Sequence, residues 1–148
     1  MENQAHIQLV RRLFEEVFNQ GKINVLEELL ATDVKVFDPS VPNFRGGAQG
    51  YKDREQIYHQ AFPGKQLTIE EIFMADHDRV VVYWRGQGMQ SGDLQDLLAT
   101  DRTFCNVTGI SVYTLKDGKI SEIHQNWDRL SLLEQLGAVE ASAQALHR

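Results

Sequence analysis

Residues 103–127 read TFCNVTGISVYTLKDGKISEIHQNW, two runs rich in β-branched and aromatic residues on either side of Asp117-Gly118. Residues of these types favour strands, and an Asp-Gly pair between two such runs is the strongest short-range signal for a hairpin turn. The pattern therefore predicts a long strand, Thr103–Leu115, and an antiparallel partner, Ile120–Trp127.

The segment on the N-terminal side of this hairpin shows the same period of two. Polar and apolar residues alternate over residues 67–72, and Arg79–Gly88 carries Val80, Val82 and Trp84 on one face. Alternation of this kind predicts half-buried strands. The four strands are therefore expected to form an antiparallel meander.

The first part of the chain shows helical spacing instead. Apolar residues form one helical stripe between Gln4 and Gln20, and Tyr51–Phe62 returns to the same spacing after a short predicted strand at residues 33–39. Helices followed by hairpin-linked strands predict an α+β fold, with the helices packed on one face of the sheet. We expect one domain over residues 1–148, with residues 138–148 as a frayed tail.

Composition argues against several partners and cofactors. The 148 residues include 15 lysines and arginines against 21 aspartates and glutamates, a net charge of −6. Such a chain offers no electrostatic footprint for a phosphate backbone or an anionic membrane, so neither nucleic acid nor a membrane is expected as a partner. No secretory signal or membrane span is visible, which predicts a cytoplasmic protein. The five histidines lack ligand-like spacing and there is one cysteine, so neither a metal nor a cofactor is predicted.

Five short motifs occur in a recognisable order: Asp78–Val82 with Trp84, Gly109-Ile110 with Tyr113, Asp117–Glu122, Trp127-Asp128, and Leu132–Gly137. In order and spacing they resemble the SnoaL-like polyketide cyclases of the NTF2-like superfamily, over residues 7–138. The resemblance implies an NTF2-like cone, in which a strongly curved mixed or antiparallel sheet and covering N-terminal helices enclose an apolar pocket. It also implies a cofactor-independent aldol closure of a polyketide-like ester, with Asp128 as the acid/base residue.

Aldol chemistry needs a base that removes a proton α to a carbonyl and donors that hold the resulting oxyanion. His124, Asn126 and Asp128 alternate along the last strand, so their side chains are expected on one face. We predict Asp128 and His124 as catalytic residues and Asn126 as a substrate-binding residue. Asp128 also directly precedes the last helix, and the alternative is that its carboxylate caps that helix.

The other substrate-binding candidates are aromatic, aliphatic or amide side chains: Phe14, Phe18, Trp84, Gln90 and Ile110. The first two lie on the N-terminal helical stripe, and Trp84 and Ile110 lie on predicted strands. Together they are expected to enclose a cavity of roughly a few hundred Å³ for a small hydrophobic molecule.

Two other functions remain open on the same cone. The chain has Phe37 and Met89-Gln90 where many relatives of the resembled family carry histidines. These departures favour a non-catalytic module that binds a small molecule or a protein partner. A third possibility is an epoxide-hydrolase-like set formed by Arg85 with Asp93 and Asp96.

The outer face of the predicted sheet is expected to carry Val81, Tyr83, Val107 and Tyr113. Apolar patches of this kind on a soluble domain mark interaction surfaces. We therefore expect a homodimer that packs sheet against sheet.

Overall fold

The computed structural model describes residues 2–94 and 97–139, and its centre is a five-stranded mixed sheet. The strands are β1 (Leu30–Phe37), β2 (Gln66–Ala75), β3 (Arg79–Met89), β4 (Thr103–Lys116) and β5 (Lys119–Trp127). The helices are α1 (Glu2–Arg12), which continues as a π-helix over Leu13–Asn19, a 3-10 turn (Ile23–Val25) leading into α2 (Leu26–Leu29), α3 (Gly47–Ala61) and α4 (Arg129–Gln135). The predicted α+β class, with N-terminal helices and a mixed sheet, is confirmed.

The sheet has the order β1-β5-β4-β3-β2 and is not closed, so β1 and β2 form its edges. Strand β1 pairs in parallel with β5, and the other three pairings are antiparallel. The hairpin between β4 and β5 is the predicted one. Asp117 and Gly118 have φ values of 54° and 75°, as a two-residue turn of the mirror-image type requires at both central positions.

Alternate residues of the central strands face the helices and form the core. In β3 these are Val80, Val82 and Trp84, as the alternation predicted. The Trp84 ring crosses β4 at Gly109, where a Cβ would lie 2.2 Å from the indole. A glycine is therefore required at that position for the indole to pack against β4.

An irregularity in β5 determines which of its side chains face inward. The pairing with β4 shifts at Ser121, which is left as an extra residue. An extra residue reverses the alternation of faces, so Ile120 and Ile123 are both fully buried although they are three positions apart. From Ile123 onward, the odd-numbered residues of β5 face the core.

One asparagine fastens the π-helix to the sheet. The Asn19 side chain donates to the Leu67 carbonyl oxygen at 3.0 Å and accepts from the Leu67 N–H at 2.7 Å. These two bonds satisfy both backbone groups of a residue on the edge strand β2. They also fix the end of the π-helix, so that Phe18 lies over the inner face of the sheet.

The outer face of the sheet carries only part of the predicted apolar patch. Val81 and Tyr83 are half-buried, whereas Val107 and Tyr113 are buried on the inner face. The prediction is wrong for these two residues because the odd-numbered residues of β4 from 107 onward face the core. Ile110 is exposed on the outer face instead.

The longest single α-helix among the described residues is α3, with 15 residues. No helix within residues 2–94 and 97–139 combines the length and apolar character needed to cross a membrane. Most of the predicted tail at residues 138–148 lies outside the described residues.

Candidate functional site

A cavity of about 90 Å³ lies between α3, the π-helix and the inner face of the sheet. The predicted cavity volume of a few hundred Å³ is too large, because aromatic side chains fill much of the space between the helices and the sheet. Eight of them line the cavity: Phe18, Tyr51, Tyr58, Phe62, Trp84, Phe104, Tyr113 and Trp127. Arg54, Glu55, Lys65 and Gln125 line it too. We refer to the eight aromatic side chains as the aromatic wall and to Arg54, Glu55 and Lys65 as the charged wall of this cavity.

The charged wall is anchored by a buried ion pair. Arg54 Nη2 donates to Asp38 Oδ2 at 2.7 Å, and the Asp38 side chain is only 1% exposed. Gln125 Nε2 donates to the same oxygen at 2.6 Å, and the backbone N–H and hydroxyl of Ser40 donate to Oδ1 at 2.8 and 2.7 Å. Burial acts to raise the pKa of Asp38, but the hydrogen bonds from Gln125, Ser40 and Arg54 outweigh it and hold that pKa below its usual value. Asp38 is therefore an ionised group that positions Arg54.

Glu55 and Lys65 are buried in the same wall without such support, at 8% and 7% exposure. Burial raises the pKa of Glu55, against the opposing charges of Lys65 and Arg54. Burial likewise lowers the pKa of Lys65, against the charge of Glu55. The Lys65 Nζ atom has no hydrogen-bond partner among the described residues. The cavity thus holds a carboxyl group and an amine that both favour their neutral forms more than exposed groups do.

Three tyrosines line the cavity. Burial raises the pKa of Tyr51, Tyr58 and Tyr113, so all three remain protonated at neutral pH. On the sheet side, Trp84 Nε1 donates to Ser111 Oγ at 3.1 Å. The aromatic wall can therefore offer hydrogen-bond donors to a carbonyl oxygen as well as apolar contact.

The structure places the predicted catalytic strand face outside the cavity. His124 and Asn126 share one face of β5, as the alternation predicted, whereas Asp128 follows the end of the strand; all three are exposed. The His124 ring stacks on Phe37, with 4.4 Å between ring centroids. Their predicted placement in this cavity is wrong, because the extra residue at Ser121 turns the even-numbered side chains of β5 outward. His124 and Asn126 instead line a separate open pocket of about 430 Å³, together with Phe37 and Asp38.

Asp128 lies at the start of α4. Its Oδ1 accepts a hydrogen bond from the Ser131 backbone N–H at 3.0 Å. This is the helix cap that was the alternative to an acid/base role, and Asp128 is not among the residues that line the cavity.

Of the other binding candidates, Phe18 and Trp84 line the cavity. Phe14 lies behind them in the core, edge-on to Phe18 with 4.9 Å between ring centroids. Ile110 is 51% exposed, so its predicted place in the pocket is wrong. Even-numbered residues in this part of β4 face away from the helices.

Gln90 is fully buried but does not line the cavity. Its Nε2 donates to the Leu97 carbonyl oxygen at 3.2 Å, and its Oε1 accepts from the Thr100 hydroxyl at 2.9 Å. Its side chain therefore stabilises the loop between β3 and β4. The sequence predicts that Gln90 contacts the substrate, and its predicted place in the cavity wall is wrong.

The epoxide-hydrolase-like set is not brought together by the described residues. Arg85 pairs with Glu70 at 2.8 Å on the sheet surface, and Asp93 is exposed, accepting from the Ala99 N–H. Asp96 lies outside the described residues. Within residues 2–94 and 97–139, no group of three or more His, Cys, Asp or Glu side chains could hold a metal ion.

The sequence prediction missed the charged wall. Tyr51, Arg54, Glu55 and Tyr58 follow the i, i+3, i+4, i+7 spacing of one helix face. Charged residues are rarely buried without a partner, so two of them inside a tyrosine stripe are the signal that could have identified this site. Lys65 follows the helix and gives no comparable signal.

An open mixed sheet, with helices over one face and a cavity between the two layers, defines the class of NTF2-like domains. The chain matches the SnoaL-like polyketide cyclase family over residues 8–136. It therefore belongs to that family. No match was found among curated protein sequences.

Solved structures agree with the family assignment. A proposed SnoaL-like polyketide cyclase from Jannaschia sp. CCS1 is 22% identical, with a TM-score of 0.82 over 93% of this chain and 94% of that one. TsrD from Streptomyces laurentii is 23% identical, with a TM-score of 0.81 over 92% and 97% of the two chains. A proposed polyketide cyclase from Acidithiobacillus ferrooxidans is 26% identical, with a TM-score of 0.79 over 90% and 95%. At these identities the likeness shows the fold.

Proposed function

We propose that this protein is an acid/base enzyme that closes a carbon–carbon bond in a small hydrophobic carbonyl compound, with Glu55 as the group that moves the proton. The observation that carries the proposal is a carboxyl group whose pKa is raised by burial in a cavity with aromatic walls. Membership of the SnoaL-like polyketide cyclase family supports cyclase chemistry. The assignment to Glu55 comes from the geometry of the cavity.

In the proposed reaction, the Glu55 carboxylate removes a proton from the carbon next to a ketone, and the enolate attacks a second carbonyl carbon of the same molecule. The new carbon–carbon bond leaves an alkoxide, which takes the proton back from the Glu55 carboxyl group. A raised pKa suits both steps, because a general base works best when its pKa is close to the working pH. The hydroxyls of Tyr51, Tyr58 and Tyr113 are the candidate donors to the oxyanion.

The cavity volume limits what can enter. A dry cavity of about 150 Å³ accommodates benzene, whereas this one is about 90 Å³. We therefore expect the carbonyl end of the substrate to enter first, and a ring to enter only as the aromatic wall moves outward. A small aryl ketone is accordingly the first probe to use.

The first test isolates the proton-transfer step. The protein is incubated with acetophenone in D₂O, and deuterium uptake into the methyl group is followed by mass spectrometry. Since a positioned acid/base group contributes about 10²–10⁴-fold, Glu55→Gln should lower the enzyme-dependent exchange rate by at least a hundredfold. Asp128→Asn is the matched control, because it neutralises a carboxylate that caps α4 outside the cavity.

The two variants separate the alternatives. Exchange that is lost in Glu55→Gln and kept in Asp128→Asn supports the proposal. A folded Glu55→Gln protein that exchanges at the wild-type rate rejects it, and loss in Asp128→Asn would return the catalytic role to the exposed face of β5.

The second candidate function is a non-catalytic module that binds a small molecule. The small volume of the cavity favours it, since little room is left for a substrate to rearrange. This function predicts that wild-type protein binds acetophenone and its relatives without accelerating deuterium exchange above the rate in buffer.

A further inference from the structure

The charged wall of the cavity contains more hydrogen-bond donors than the protein uses. Arg54 directs Nη2 to Asp38, and its guanidinium carbon lies 5.6 Å from the centroid of the Tyr58 ring, but its buried Nε and Nη1 atoms have no hydrogen-bond acceptor among the described residues. Lys65 Nζ is buried and unpartnered in the same way. Both side chains line the cavity. A buried donor without an acceptor is costly, so three such atoms in one wall point to a ligand that is rich in hydrogen-bond acceptors.

The contacts of the wall leave Lys65 without a hydrogen-bonded counter-ion. Arg54 is matched by the ionised Asp38 through the 2.7 Å ion pair. Glu55 is the acidic residue among those that line the cavity, but Lys65 Nζ makes no hydrogen bond to it or to any other described residue. Lys65 Nζ can therefore donate to a ligand that carries a negative charge.

We propose that the compound bound here carries a carboxylate, which Lys65 and the free edge of Arg54 recognise, so that the protein selects a hydrophobic acid over its ester. The proposal rests on the proposed function, because it names the substrate class of the same cavity. A carboxylate has two oxygens and about four acceptor positions, enough for all three free donors. The rest of the molecule would lie against Trp84 and Trp127, which line the same cavity.

The test compares phenylacetate with methyl phenylacetate, which share a ring and a carbonyl group and differ in charge. Trp84 and Trp127 are the only tryptophans of the chain and both line the cavity, so tryptophan fluorescence reports binding directly. We expect wild-type protein to bind phenylacetate at least tenfold more tightly than the ester. Lys65→Met keeps the length and apolar stem of the side chain, and it should abolish this preference while changing affinity for the ester by less than threefold.

Lys116→Met is the matched control, because it removes the same charge from an exposed site at the β4–β5 hairpin. It should keep the full preference for the acid. Equal affinity of wild-type protein for acid and ester would overturn the proposal, as would a preference that survives in Lys65→Met. The wild-type comparison is decisive even if Lys65→Met does not fold.

Failure here is distinguishable from failure of the proposed function. Glu55→Gln tests proton transfer and should keep the preference for phenylacetate, whereas Lys65→Met tests recognition of the charged group. If deuterium exchange depends on Glu55 while acid and ester bind equally, the acid/base proposal stands and the carboxylate proposal falls.

Discussion

Replacing Asp38 with asparagine should destabilise the protein strongly although the two side chains are nearly isosteric. Asp38 accepts four hydrogen bonds, from Arg54, Gln125 and twice from Ser40. An asparagine would turn one acceptor oxygen into a donor NH₂ group that faces other donors. It would also leave the Arg54 guanidinium buried without its counter-charge.

The expected magnitude follows from the burial of the pair. The Asp38 and Arg54 side chains are 1% and 12% exposed. Removing one partner of a buried ion pair costs about 3–5 kcal/mol, a large part of the roughly 5–15 kcal/mol that stabilises a typical domain. With a urea m-value of about 2 kcal/mol per M, the unfolding midpoint should fall by roughly 2 M.

Urea unfolding followed by circular dichroism at pH 7 measures this loss. Asp76→Asn is the control, because Asp76 pairs with Arg79 on an exposed turn, and exposed pairs contribute little. The double variant Asp38→Asn with Arg54→Met should lose less stability than the two single variants added together, since each single change leaves the other partner unpaired. Additive losses, or an Asp38→Asn protein as stable as the Asp76→Asn control, would refute the argument.

The same pair predicts how stability depends on pH. The pKa of Asp38 is lowered in the folded state, so folding favours its ionised form. Its contribution is fully present above the pKa of the unfolded carboxyl group, about 3.9, and is lost as the pH falls through the lower folded value. The difference in free energy of unfolding between wild type and Asp38→Asn should therefore be constant between about pH 5 and about pH 7 and should shrink below about pH 4.

Three further predictions concern other parts of the fold. Asp128→Ala should cost about 0.5–2 kcal/mol in urea unfolding, because the bond from Ser131 is lost, whereas Asp128→Asn should cost almost nothing; equal losses would argue against the cap. Gly109→Ala should cost about 1–3 kcal/mol or more, since its Cβ would lie 2.2 Å from the Trp84 ring; a wild-type midpoint would show that the ring moves freely. We also propose a homodimer through the outer sheet face, so Ile110→Lys should convert dimer to monomer in light scattering, and a wild-type monomer at micromolar concentration would contradict it.

The parts of this fold that could be predicted from sequence are those set by local chemistry. Asp117-Gly118 specifies a tight hairpin whatever surrounds it, and the period of two in β3 places Val80, Val82 and Trp84 on one face. The helical stripe and the strand order in sequence then suffice for the α+β class. These signals act over a few residues, so no knowledge of distant contacts is needed.

The orientation of the side chains at the end of β5 could not be predicted in the same way. This orientation depends on one extra residue at Ser121, which arises from pairing with β4. A single extra residue moves every later side chain to the opposite face, and so Gln125 faces the cavity while His124 does not. Two isoleucines three positions apart, Ile120 and Ile123, are the trace that this irregularity leaves in the sequence.

The site itself rests on two carboxyl groups that the fold treats in opposite ways. Hydrogen-bond donors hold the pKa of Asp38 below its usual value, whereas burial raises the pKa of Glu55. Pairs of acidic groups driven apart in this manner commonly divide structural and proton-transfer roles in enzymes. Arg54 connects the two, because it precedes Glu55 on α3 and is anchored by Asp38. If Glu55 moves the proton as proposed, displacing this anchor should disturb the step even where the protein stays folded. At urea concentrations below the unfolding transition, Asp38→Asn should reduce deuterium exchange because Arg54 is misplaced, while Asp76→Asn should leave the exchange rate unchanged.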